Sequence, residues 1–341
     1  MNNIKQSRSP FSLLKRVGLD WFVFALLGMI GLAYIFPAPG IAEGPFSMSS
    51  IAEYGVILIF FFYGLKQDTQ KVLSGLSNWK LHLVIQLSTF LIFPLIVLTF
   101  LNFQEDIKGE FEYLWLGIFF LAALPSTVSS SVVMVSIANG NIPAAIFNAS
   151  ISGIIGIFLT PLWMEQVIDS ANIDLDLQSV LGKLILKTFL PVVAGIFLNV
   201  KFKFNLSKYK SSLKYFDQSV ILMIVYTSFC KSFSQNMFSG YQITDLLLLG
   251  IGLLGLFLLM IFLMSQLGKL LNFNREDKVT MLFCGSKKSL VHGSVIVKVM
   301  FASSIAGVVL LPVMIYHSIQ LILASVLAQS IANNKKHTIV G

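Results

Sequence analysis

Polar residues in this chain are gathered into short stretches, and long apolar runs separate them. Ten runs can be counted, at about Trp21–Phe36, Ile51–Leu65, Leu81–Leu101, Leu114–Ala138, Ile142–Val167, Val180–Val200, Phe216–Phe233, Leu246–Leu267, Val279–Phe301 and Ala306–Leu327. Most are near-continuous and close to the roughly 20 residues of helix that cross a hydrocarbon core of about 30 Å. Barrel strands would instead read as alternating segments of about 10 residues. The pattern predicts an all-α polytopic membrane protein with ten transmembrane helices. Two runs are interrupted from within, the fourth by "LPSTVSSS" and the ninth by "FCGSKKSLVHGS".

The distribution of charge sets the expected orientation. With the N-terminus inside, the inner segments hold 17 of the 24 basic residues, from Lys5, Arg8, Lys15 and Arg16 through Lys201 to Lys214 and on to Lys335 and Lys336. The outer segments hold Lys108, Lys231 and Lys298, with acidic clusters around Glu105–Glu112 and Glu165–Asp176. That asymmetry follows the positive-inside rule and predicts that both termini are cytoplasmic. The net charge of +8 is therefore a matter of topology, not a nucleic-acid footprint. Lys183 and Lys187, near the outer end of the sixth run, are placed to snorkel to the interface. Lys287 and Lys288 have no such escape.

Composition agrees with a membrane class. Mean hydropathy is +0.82, 56% of residues are hydrophobic and 12% are charged, about half the usual charged share of a soluble domain. No polar stretch is long enough for a separate soluble domain. Cys230 and Cys284 both lie in or beside apolar runs and read as small buried hydrophobes. The first run lacks a convincing cleavage site, so it is expected to be a retained span.

Ten spans divide as five plus five, and because five is odd the second half must run inverted. The expected units are a cytoplasmic arm (1–18), a first repeat (19–168), a second repeat (178–329) and a cytoplasmic tail (330–341). The interrupted runs are the fourth of each half. Matching interruptions in inverted halves point to a transporter's binding site, because unwound backbone at membrane depth needs polar partners. The candidate solute- or ion-binding residues are accordingly Ser126, Thr127, Ser129, Ser130 and Ser131 in the first break, and Ser286, Lys287, Lys288 and Ser289 in the second. Pro125 and Gly285 are the expected helix-breaking residues. An unpaired lysine at the bilayer centre costs on the order of 3 kcal/mol, which favours a functional role for the pair. His292 follows Lys288 by four residues and is a candidate proton partner. Asp217 and Gln218 either cap the seventh helix or line an inner vestibule. Pro94, Pro191 and Pro312 read as kinks.

Enzyme classes find no support, since there is no H-E-x-x-H motif, no pair of intramembrane aspartates and no Ser-His elbow. No repeated filter sequence suggests a channel. Two functions remain: a secondary active transporter for a small organic anion, or a non-transporting membrane regulator or scaffold whose lysines lock the fold shut.

Several stretches together resemble the bile acid:sodium symporter family, in the branch that holds solute carrier family 10 member 7 and its bacterial relatives. They are "HLVIQLSTFLIFPLIV", "LPSTVSSSVV", "ANGNIPAAIFNASISGIIGIFLTPL", "FDQSVILMIVYTSF" and "NREDKVTMLFCGSKKSLVHG". The resemblance implies a ten-helix inverted repeat with panel and core domains, in which discontinuous fourth and ninth helices cross. It also implies two sodium ions behind the crossing and an organic anion in front. Carried onto this chain, the family's ninth-span glutamate falls on Phe283, and its glutamine and asparagine fall on Lys287 and Lys288. Its fourth-span glycines fall on Ser126 and Thr127, and its serine-asparagine pair on Ser130 and Ser131. Its third-span glutamine falls on Thr89, and its fifth-span serine and threonine on Ala145 and Ala149, beside Asn148 and Ser150. Losing the carboxylate and gaining two ammonium groups argues against two-sodium coupling, because a lysine nitrogen in a sodium pocket repels the ion strongly. The expectation is that one lysine stands in for a structural sodium. The other then attracts the anion or carries a proton. No cofactor is expected.

Overall fold

The computed structural model describes residues 21–67, 78–102, 112–168, 176–204 and 206–340. The arm 1–18 lies outside these residues, as do Lys71, Glu105, Asp106, Lys108, Glu110, Asp169 and Asp174. Every regular element among the described residues is helical. The helices are α1 (Trp21–Ile35), α2 (Met48–Leu65), α3 (Trp79–Leu101), α4a (Glu112–Ala123), α4b (Ser129–Ile137) and α5 (Ile142–Ile168). They continue with α6 (Leu177–Phe202), α7 (Lys210–Ser234), α8 (Ile243–Leu270), α9a (Arg275–Gly285), α9b (Leu290–Met300) and α10 (Ala306–Val340). Among the described residues six helices are long and apolar enough to cross a membrane: α2, α3, α5, α6, α8 and α10. α1 and α4a are shorter apolar helices. α10 continues through residues 330–340, the stretch expected to be a tail.

Local chemistry explains where several helices begin. Ser47 caps α2 by accepting from Ser50 N–H, and Asn274 caps α9a by accepting from Asp277 N–H. Gln242 and Asp245 form a reciprocal capping box at the start of α8. Such caps satisfy N–H groups that have no partner inside the helix. The two internal breaks have chemical causes as well. Pro125 disfavours the helical conformation at Leu124 and has no N–H of its own. The second break opens directly after Gly285.

α3 and α6 each contain one π turn, at Ser88–Ile92 and Ile185–Phe189. Each turn ends two residues before a proline, Pro94 or Pro191. The prolines expected to be kinks therefore sit beside a local change of register, and in α3 that change frees carbonyl groups.

Packing separates two groups of apolar side chains. Val56, Ile59 and Phe60 of α2 meet Val192 of α6, Val220 and Ile224 of α7, and Val295 of α9b. A larger cluster joins α3, α4a, α5, α8, α9a and α10 through residues such as Phe93, Phe119, Phe257, Phe283 and Tyr316, and it also takes in Leu26 of α1, Leu184 of α6, Phe229 of α7 and Val297 of α9b. α2 and α6 approach unusually closely. A methyl group at Gly64 would lie 2.1 Å from the Val192 carbonyl, and one at Gly195 would lie 2.2 Å from the Phe61 carbonyl. The outward face of α8, with Leu247, Leu248, Ile251 and Phe262, is exposed and apolar, as a lipid-facing helix requires.

Candidate functional site

The two helix breaks meet, and each satisfies the other's backbone. The C-terminal carbonyls of a helix have no partners within it. At the end of α9a, the Phe283 carbonyl accepts from the Ser131 hydroxyl at 3.2 Å and the Cys284 carbonyl from the Ser126 hydroxyl at 2.7 Å. At the end of α4a, the Ala122 and Leu124 carbonyls accept from the Lys288 ammonium at 2.6 and 2.9 Å. The Pro125 carbonyl accepts from Ser289 N–H at 2.9 Å. The first break caps the second half-helix with hydroxyls, and the second break caps the first with an ammonium. A cation at a helix C-terminus is also favoured by the aligned peptide dipoles.

Lys288 is 1% exposed, yet all three of its ammonium protons have partners. The third is the Thr89 carbonyl, at 2.7 Å. The ammonium also lies 4.2 Å from the centroid of the Phe93 ring, a cation–π contact. The Thr89 carbonyl is available because of the π turn. Phe93 N–H donates to Ser88 rather than to Thr89, and Pro94 has no N–H for Phe90. The carbonyl of Phe90, freed in this way, accepts from the Trp163 indole at 2.7 Å.

α10 pairs the unwound backbone of the second break. The Gln320 side chain accepts from Lys288 N–H at 2.9 Å and donates to the Lys288 carbonyl at 2.8 Å. The Tyr316 hydroxyl donates to the Ser286 carbonyl at 2.7 Å. These contacts supply what water or a regular helix would otherwise supply.

Lys287 differs from its neighbour. It is fully buried, but among the described residues its ammonium has a single hydrogen-bond partner, the Ser130 hydroxyl at 2.8 Å. That hydroxyl donates to Thr127 at 2.9 Å. Because Ser131 spends its proton on the Phe283 carbonyl, Thr127 must donate to Ser131, 2.7 Å away. The chain of hydroxyls therefore runs in one direction, from the ammonium to the end of α9a, and each bond polarises the next. Two ammonium donors of Lys287 are left over. The nearby N-terminus of α4b has no side-chain cap.

Not every candidate residue joins this centre. Ser129 is exposed. The Thr89 hydroxyl is bound to its own helix at Ile85, so its contribution is the carbonyl. Asn148 is buried between α3 and α5, held by His82 at 2.8 Å and Gln86 at 3.1 Å. Among the described residues it makes no hydrogen bond to either lysine. His292 is buried one turn beyond Lys288, bonded to the Ser289 hydroxyl. Asp217 pairs with Lys66 at 3.2 Å. Lys187, expected to snorkel, pairs with Glu53 at 3.0 Å.

Sequence reasoning did not single out Gln320, Tyr316, Trp163 or Asp277. A glutamine and a tyrosine four residues apart in an apolar helix were an available signal for the first two. Asp277 is 4% exposed and takes amide hydrogens from Asn78 at 2.7 Å, Asn141 at 2.8 Å and Asn274 at 2.9 Å. It thereby clasps the starts of α3, α5 and α9a at one end of the broken pair.

Comparison with known proteins gives this arrangement a context. A profile of the SBF-like CPA transporter family matches residues 20–333. An uncharacterised protein of Pseudomonas aeruginosa is 36% identical over 316 residues, covering 93% of this chain and 94% of its own. YfeH of Escherichia coli, named as a candidate symporter, is 33% identical over 311 residues, covering 91% and 92%. The sodium/bile acid cotransporter 7 of Rattus norvegicus is 31% identical over 323 residues, covering 94% of each chain.

Proposed function

Because the chain belongs to the SBF-like CPA transporter family, an integral membrane family of transporters rather than enzymes, we propose that it is a secondary active transporter of a small organic anion. In this reading it has ten spans in an inverted five-plus-five repeat, and both termini are cytoplasmic. α1, α2, α6 and α7 form a panel, and the remaining helices form a core that rocks against it. Across the seam, Tyr63 donates weakly to the Ala149 and Ser150 carbonyls, Ser150 donates to Gln67, and Lys298 donates to Ser49. These are contacts that alternating access must break and remake.

One observation carries the chemistry: two neighbouring buried lysines have unequal surroundings. Lys288, enclosed by three carbonyls and an aromatic face, acts as a fixed cation in the place that the family resemblance gives to a structural sodium ion. A sodium ion needs several oxygen ligands, usually with a carboxylate to neutralise it. Here the oxygens are already committed to an ammonium. Phe283, Ala145 and Ala149 stand at positions where the resemblance implies ligands, and all three are buried apolar residues. The residues present do not fit a second sodium ion either. Lys287, with two uncommitted donors beside the open N-terminus of α4b, receives the anionic group of the solute.

The relatives' names mention sodium and bile acid, so cholate is a reasonable first probe. Acetate, succinate and inorganic phosphate can stand for smaller anions. Binding is measured as the shift in thermal midpoint of the purified protein, and uptake is measured in proteoliposomes with sodium replaced by choline. Anion-dependent stabilisation that persists in choline is expected. Strict, saturable sodium dependence would defeat the fixed-cation assignment.

A further inference from the structure

The imidazole of His292 has one nitrogen, Nε2, that nothing among the described residues pairs with. Ser289, the N-cap of α9b, accepts from His292 N–H at 3.3 Å and lies 2.9 Å from Nδ1. The Ser289 hydroxyl has one proton and, among the described residues, no acceptor for it other than Nδ1, so we assign the hydroxyl as the donor of this contact. The ring proton therefore resides on Nε2. Nε2 is buried and has no hydrogen-bond partner among the described residues. The residue as a whole is 3% exposed.

The surroundings of the ring are apolar or already committed. Phe60 and Tyr63 of α2 pack edge-on against it, with centroids at 5.4 and 6.3 Å. The Tyr63 hydroxyl is directed at the Ala149 and Ser150 carbonyls. Gly153 of α5 leaves room for Nε2, since a methyl group there would lie 2.8 Å from it. A phenylalanine would fill the same space without an unmet donor. Buried polar groups left without partners are costly and rare. This one lies in the first turn of α9b, four residues from Lys288, where the peptide dipoles favour negative charge. It also lies in the seam between α2 and the α5–α9b pair.

We infer that the Nε2–H of His292 is a contact for an oxygen of the transported anion, most simply a carboxylate oxygen, made when α2 draws away from the core. The inference rests on the anion-transport reading and deepens it. His292 is then a donor that selects the solute, a role other than the candidate proton partner read from the sequence.

The test compares wild type, His292→Phe, His292→Gln and Lys287→Met, unliganded and with cholate, acetate, succinate or inorganic phosphate. His292→Phe keeps the aromatic packing and deletes the donor. Because it also removes the Nδ1 acceptor of the Ser289 hydroxyl, the loss there offsets the relief at Nε2: the unliganded thermal midpoint should stay close to wild type, while the best carboxylate probe should bind about tenfold more weakly, the usual effect of losing a hydrogen bond to a charged group. His292→Gln, which restores an N–H, should recover part of the binding. A lower unliganded midpoint for His292→Phe, or failure to fold, would assign the ring a structural role and overturn the proposal. Binding retained in His292→Phe but lost in Lys287→Met would overturn the His292 assignment alone. If no anion shifts the wild type, the anion reading fails and this inference fails with it.

Discussion

Replacing Lys288 with methionine keeps the length of the side chain and removes its charge. Three buried carbonyls, those of Thr89, Ala122 and Leu124, then lose their donor. Leaving a buried acceptor unpaired costs about 1–3 kcal/mol, so the gross loss is roughly 3–9 kcal/mol. Several kcal/mol return, because an ammonium no longer has to be taken out of water. The expected net loss is about 3 kcal/mol, or a midpoint lower by roughly 5 °C for a chain of this size. Lys287→Met removes one bond to a hydroxyl but brings the same relief from desolvation, so it should leave the midpoint unchanged or raise it. Both free cysteines, Cys230 and Cys284, are buried, so a thiol-reactive fluorophore reports unfolding without engineered sites. A Lys288→Met midpoint within about 1 °C of wild type, or a larger loss for Lys287→Met, would refute the view that the carbonyl cage depends on the ammonium.

Other outcomes follow from the same geometry. Lys288→Ala leaves the cage without its cation, and sodium but not choline should partly restore its midpoint if the ammonium stands in for an ion. Asp277→Asn sets an amide against the amides of Asn78, Asn141 and Asn274; a loss of about 3 kcal/mol is expected in the same fluorophore assay. Gly195→Ala forces a methyl group toward the Phe61 carbonyl and should cost about 1–3 kcal/mol, seen as a lower midpoint and reduced detergent-extracted yield.

Much of the helical layout was legible in the chain because apolar runs and their interruptions follow directly from the cost of burying backbone in lipid. Both breaks fall where "LPSTVSSS" and "CGSKKS" place them, since proline, glycine and consecutive hydroxyls are poor helix formers. The dilysine could be flagged because burying two cations is expensive enough to require a reason. What could not be read was the identity of its partners. Carbonyls belong to every residue, so nothing in "LSTFLIFP" marks the Thr89 oxygen as free until the π turn is seen. Pro94 looked like a kink, although its missing N–H and the shifted register beside it release two carbonyls. Asn148 was drawn toward the centre by the resemblance, but His82 and Gln86 hold it between α3 and α5.

The enclosure around Lys288 is built from main chain, and this has an evolutionary consequence. Threonine, alanine and leucine at positions 89, 122 and 124 can drift to other residues of similar bulk without altering the oxygens they present. The pocket thus survives divergence that would erase a site made of side chains, and a comparison of side-chain identities alone would pass over it. Selection should instead concentrate on the few positions that set backbone register and fill the enclosure: the proline at 94, the proline at 125 and the lysine itself.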